Sequence, residues 1–117
     1  LSEAELAAAQ TAVAAVHLAP ALKDYIVRLV MATRAPDGGP LEGLIAHAVS
    51  PRGSLSLAAS SRARAALHGR DHALPEDVAA LATDALSHRL IPSWRATSDG
   101  QTARDIVAKL LAHVQPY

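Results

Sequence analysis

The chain has 117 residues, half of them hydrophobic and 19% charged, which is enough for one buried core in a single domain spanning residues 1–117. Eleven Lys and Arg balance eleven Asp and Glu, which removes the broad positive field of nucleic-acid and anionic-membrane binders and leaves protein or nucleotide as the expected partner. No apolar run approaches the roughly 20 residues that span a bilayer, and residues 2–5 are too polar for a signal peptide start.

Phe and Cys are absent and aromatics make up 3%, so the core must come from Leu, Val, Ile and Ala on helices. The predicted class is all-α. The lack of cysteine is compatible with a cytoplasmic location without establishing it. A chain that begins at Leu1 instead of Met suggests a piece of a longer protein.

Ser2-Glu3-Ala4-Glu5 reads as a capping box, in which the Ser2 hydroxyl and Glu5 carboxylate each satisfy a backbone N–H at a helix start. Leu6, Ala9, Val13 and Val16 mark one face of this helix, expected to end near His17 because Pro20 suits the first turn of the next. In that second helix Leu22, Tyr25, Ile26, Leu29 and Val30 recur at the three-and-four spacing of a buried stripe. Asp37-Gly38-Gly39-Pro40 is a strong breaker. Residues 41–49 are too short and too weakly periodic to assign beyond a connector with one helical turn or a short extended piece.

Ser50-Pro51-Arg52 has the composition of a helix start, with Ser as a cap worth about 0.5–2 kcal/mol, Pro at the first helical position and Arg in the exposed first turn. Leu55, Ala58, Ala59, Ala63 and Ala66 are its apolar positions, Arg62, Arg64 and Arg70 decorate its outer side, and Gly69 should end it. Gly69-Arg70-Asp71 reads as a tight turn with a local ion pair. Pro75 opens another helix, with Glu76 and Asp77 in a first turn whose dipole attracts negative charge. Its inward face is Val78, Leu81, Ala82, Ala85 and Leu86, and His88 and Arg89 fall near its end.

A loop through Pro92, Trp94 and Ser98-Asp99-Gly100 follows, with Trp94 expected to cover an edge of the core. Ala103, Ile106, Val107, Leu110, Leu111 and Val114 form the stripe of the last helix, with Arg104, Asp105 and Lys109 outside it. About five helices with short connections predict a small bundle.

Chemistry concentrates at Arg52. A guanidinium is permanently charged and forked, so it can grip phosphate oxygens in pairs, and in a first helical turn it stands beside free backbone N–H groups that favour the same anion. The plain alternative is a solvated surface arginine. His68 and His72 stand four apart, a spacing that can place two metal ligands on one helical face, but Gly69 interrupts the helix between them and no metal is expected. Arg52, Arg62, Arg64 and Arg70 could form a local basic stripe for DNA, which the zero net charge argues against. There is no G-x-x-x-x-G-K-[ST] loop and no apolar strand ending in an acidic pair, so the chain alone should neither hydrolyse ATP nor hold a cofactor. A stand-alone helical interaction module remains an open reading.

The run SPRGSLSLAASSRARAALHGRDHALPEDVAALATDALSHRL resembles the lid signature of MoxR-family AAA+ ATPases: a Ser-Pro-Arg helix start, a Gly-Arg-Asp turn, a Pro-Glu-Asp-Val helix start and a closing His-Arg-Leu. Tyr25-Ile26-Val27 and Ala32-Thr33-Arg34 resemble the helix that precedes it in those proteins. Two positions depart from the pattern. His47-Ala48-Val49 lacks the family's glycine before Ser-Pro-Arg, and Leu74 replaces the usual cap before Pro-Glu-Asp, which predicts a weaker helix start.

The resemblance implies a helical lid of the AAA+ type that follows a nucleotide-binding core in the same chain. It implies that Arg52 is the sensor-two arginine, acting in catalysis with Ser50 and Pro51 beside it at ATP, while the core supplies most of the ATP and Mg2+ contacts. It further implies a homo-oligomeric ring, chaperone-like or cofactor-inserting work, and partners with von Willebrand A-type domains.

Overall fold

Every helix among the described residues starts where a proline or a hydroxyl can begin one. In the computed structural model, which describes residues 2–34, 39 and 41–116, three helices carry Pro at the first position. These are α2 (Pro20–Ala32), α3 (Pro51–Leu67) and α4 (Pro75–Leu86). The other three, α1 (Glu3–Ala14), α5 (Trp94–Ser98) and α6 (Ala103–His113), are capped by the hydroxyls of Ser2, Ser93 and Thr102, which accept the N–H of Glu5, Ala96 and Asp105. Most of the predicted breaker, residues 37, 38 and 40, lies outside the described residues.

The connector at 41–49 is partly extended. β1 (Ile45–His47) pairs antiparallel with β2 (Ile91–Pro92), aligning Ile45 with Pro92 and His47 with Ile91. Ser93 secures this ribbon: its N–H donates to Leu44 O at 2.8 Å and its hydroxyl to Gly43 O at 2.6 Å. A single 3-10 turn, Ser87–Arg89, links α4 to β2.

Large aliphatic side chains fill the centre. Leu22 and Leu29 of α2, Leu57 of α3, Val78 and Leu86 of α4, and Ile106, Val107 and Leu110 of α6 are all buried, so the stripes read for α2, α4 and α6 are the faces that pack. The bundle is all-α apart from the short ribbon, with one helix more than expected because Trp94–Ser98 makes a single short helix.

Several expectations fail. The buried ridge of α3 is Gly53, Leu57, Ser61 and Ala65, a four-residue repeat of mostly small side chains, whereas Leu55 is 72% exposed. Ser61 is tolerated there because its hydroxyl donates to Leu57 O at 2.7 Å. In α1 no residue is buried, and of its predicted face only Val16, beyond the helix end, enters the core. Val16 is held there by a backbone bridge between its neighbour His17 and the segment around His72. Trp94 covers nothing: at 84% exposure it projects from the first turn of α5, and Ala96 turns inward instead.

Candidate functional site

The threshold of α3 is held from both sides. At the end of α2, Thr33 is fully buried; its hydroxyl donates to Val30 O at 2.6 Å and accepts the Val49 N–H at 3.0 Å. Val49 is itself buried, so the residue immediately before Ser50-Pro51-Arg52 is fixed to the body of the domain. On the other side sits Gly53. A Cβ there would lie 2.1 Å from Val49 Cγ1 and 3.5 Å from Leu86 Cδ2, so the first turn of α3 rests directly on Val49 and on the end of α4. A β-branched neighbour this well buried cannot swing aside.

Ser50 has the extended backbone of a cap, but its side chain makes no capping bond, contrary to expectation. Its carbonyl instead accepts the Gly53 N–H at 2.9 Å. Pro51 has no N–H, and the Arg52 N–H has no acceptor among the described residues. The Arg52 side chain is exposed and makes no hydrogen bond or ion pair with any described residue. The structure therefore presents Ser50, Pro51 and Arg52 together, with a free backbone donor, a free hydroxyl and an unpaired cation at one helix end.

The other arginines of this region are not equivalent. Arg64 and Arg70, expected on the outer side, both turn in to the carboxylate of Asp77, with the Arg64 contact at 2.5 Å. Arg70 of the Gly69 turn thus pairs with Asp77, seven residues on in the next helix, and not with its neighbour Asp71, which meets His72 at 2.9 Å. Gly69 takes φ +73 where α3 ends, as the turn requires. Arg64 and Arg70 are engaged internally, so the four-arginine stripe imagined for DNA is not presented.

As expected, Leu74 makes no side-chain cap, and Asp77 partly compensates. Leucine offers no side-chain acceptor to the first turn, but the other half of a capping box is present: the Asp77 carboxylate, at the third helical position, accepts the Leu74 N–H at 2.7 Å. Burial pushes this carboxyl up. The Leu74 N–H and the Arg70 and Arg64 guanidiniums outweigh that and hold its pKa below the usual carboxylate range.

At the far end of α4, His88 Nδ1 lies 3.1 Å from Asp84 O, so His88 closes its own helix. Arg89 is half-buried, with no partner for its Nε among the described residues.

Sequence reasoning put forward Ser50, Pro51 and Arg52 as candidates and missed the packing roles of Thr33, Gly53 and Asp77 around them. Gly53 carried a signal, since glycine inside a helix costs about 1 kcal/mol against alanine and marks close approach. Asp77, three residues after a leucine that cannot cap, carried another.

Residues 42–110, from just before the ribbon to the last buried leucine of α6, match the AAA lid domain family. The chain belongs to that family. Among the relatives of this AAA lid domain is the chaperone MoxR1 of Mycobacterium tuberculosis, 36% identical over 97 residues that cover 80% of this chain and 26% of that protein. Protein MoxR of Paracoccus denitrificans is 42% identical over 84 residues, 66% of this chain and 25% of that protein. A crystal structure of a candidate ATPase from Cytophaga hutchinsonii superposes with a TM-score of 0.84 at 33% identity, over 90% of this chain and 33% of that one. This AAA lid domain thus spans between a quarter and a third of these relatives' lengths. No helix among its described residues is long and apolar enough to cross a membrane.

Proposed function

We propose that this lid belongs to a larger MoxR-type ATPase and carries its sensor-two arginine, Arg52, which reaches from the start of α3 toward the terminal phosphate of ATP held with Mg2+ on a core domain. The observation that carries this reading is the uncommitted state of Arg52: an exposed guanidinium, without a partner among the described residues, on a first turn braced by Thr33, Val49 and Gly53. A fixed cation aimed at developing negative charge lowers a phosphoryl-transfer barrier without having to reorganise. Ser50 and Pro51 complete the contact, the former through its free hydroxyl and the latter by fixing the backbone.

The wider role is proposed by analogy with the MoxR proteins, one of which is named a chaperone. On this reading the lid converts nucleotide state into movement of a homo-oligomeric ring in the cytoplasm, which remodels clients or inserts cofactors together with proteins carrying von Willebrand A-type domains.

The deciding experiment is Arg52→Ala in the ATPase that contains this lid. Turnover should fall on the order of 100-fold, the size of losing one preorganised charge contact, while the thermal midpoint stays put because exposed Arg52 makes no hydrogen bond or ion pair with any described residue. Turnover at the wild-type rate would remove Arg52 from the site.

A further inference from the structure

The face of α3 that carries Arg52 continues beyond it. Arg52, Leu55, Ala59 and Arg62 follow at intervals of three, four and three, one side of the helix, and the first three are exposed. Beside this line, between α2 and α3, runs an apolar groove with walls of Leu18, Ile26, Val27, Leu55 and Ala58 and with Lys23 and Arg62 at its margin. Two observations mark it as unfinished. Leu55 and Val27 leave much of their side chains in water, a concentration of apolar surface that a folded protein rarely leaves bare. Lys23 and Arg62 make no ion pair with any described residue. Two unpaired cations at the edge of an apolar face give an incoming carboxylate a charge partner on either side.

We propose that this groove docks a segment of the ATPase core that offers aliphatic side chains and, within a turn of them, a carboxylate. The apolar walls select the aliphatic part, and the two unmatched cations select the acid. The groove shares the Arg52 side of α3, so the same approach that brings a phosphate to Arg52 seats the segment here. Docking then sets the angle at which Arg52 is delivered. This rests on the presence of a core domain, as proposed above, but not on the chemistry assigned to Arg52.

The test uses the 117-residue chain and two designed helical peptides with the same leucines, one flanked by glutamates and the other by lysines. Amide chemical shifts should move at Val27, Ser54, Leu55, Ala58 and Arg62 with the Leu/Glu peptide, and the Leu/Lys peptide should bind at least tenfold more weakly. Arg62→Gln should weaken the Leu/Glu peptide about fivefold, the size of one partly shielded charge pair. Leu55→Asp, at a position too exposed to disturb the core, should abolish binding while the spectrum stays dispersed. Equal affinity for the two peptides, shifts mapping elsewhere, or no shifts at all would overturn the proposal. So would concentration-dependent dimerisation through these same residues in sedimentation, which would make a second copy the occupant. If Arg52→Ala leaves turnover intact while the Leu/Glu peptide still binds, the phosphate reading fails and the docking surface stands.

Discussion

Thr33 and Val49 are joined by a hydrogen bond that crosses from the end of α2 to the residue before the Ser-Pro-Arg turn, with the Thr33 hydroxyl accepting the Val49 N–H at 3.0 Å. Both residues are buried, so removing the hydroxyl leaves a backbone donor stranded. Thr33→Val should cost about 1–3 kcal/mol in urea unfolding. Thr33→Ser, which keeps the hydroxyl, should recover most of that. Identical midpoints for wild type and the Val variant would show that the bond holds nothing.

Gly53 tests the same region by steric means. With Val49 Cγ1 only 2.1 Å from where a Cβ would sit, Gly53→Ala should destabilise by about 1–3 kcal/mol despite alanine's better helix propensity. Adding Val49→Ala opens the space, so the double variant should be more stable than the sum of the two single effects predicts. Additive costs in a double-mutant cycle would mean that the two side chains do not meet.

Asp77 makes stability depend on acid. Its folded pKa lies below that of an unfolded aspartate, so its contribution is complete above about pH 4 and is lost as the pH falls further through the folded value. Asp77→Asn removes the charge that Arg64 and Arg70 share and should cost about 3 kcal/mol near neutrality. It should also flatten the fall in urea midpoint between neutrality and the acid range. Some fall remains, because the Thr102 N–H and hydroxyl hold Asp105 low and a hydrogen bond from His72 holds Asp71 low. A variant as acid-sensitive as wild type would show that the carboxylate is not the source.

The single tryptophan reports its own placement. Trp94 stands largely in water, so its emission should resemble that of a free indole, acrylamide should quench it freely, and unfolding should change both little. Blue-shifted, protected emission would place the ring in an interface or against the core.

How much of this was legible depended on side-chain size. Leu22, Ile26 and Leu29, or Ile106, Val107 and Leu110, are large enough that their spacing alone reveals the packed face. On α3 the same logic pointed the wrong way. The packed ridge there consists of Gly53, Leu57, Ser61 and Ala65, while the conspicuous Leu55 faces out. The alanines of α1 and α3 gave a pattern with little burial behind it, since alanine is a good helix former wherever it points.

Ser50, Pro51 and Arg52 could be put forward as candidates from sequence because they are local to one turn. The brace on that turn was not, because Thr33 and Val49 meet only after the chain has folded back. Asp77 looked like an ordinary dipole-compensating acid, and only packing shows that two arginines from outside its helix converge on it.

The 17 residues of α3 make a rod about 25 Å long. Its head is bolted to α2 through Val49 and Thr33, and its tail to α4 through Arg64, with Arg70 just past the end gripping the same carboxylate. A strut clamped at both ends cannot absorb a push at Arg52 by fraying or pivoting locally. The two ends of the rod are thus tied to different helices, so a displacement at its head is shared with both α2 and α4.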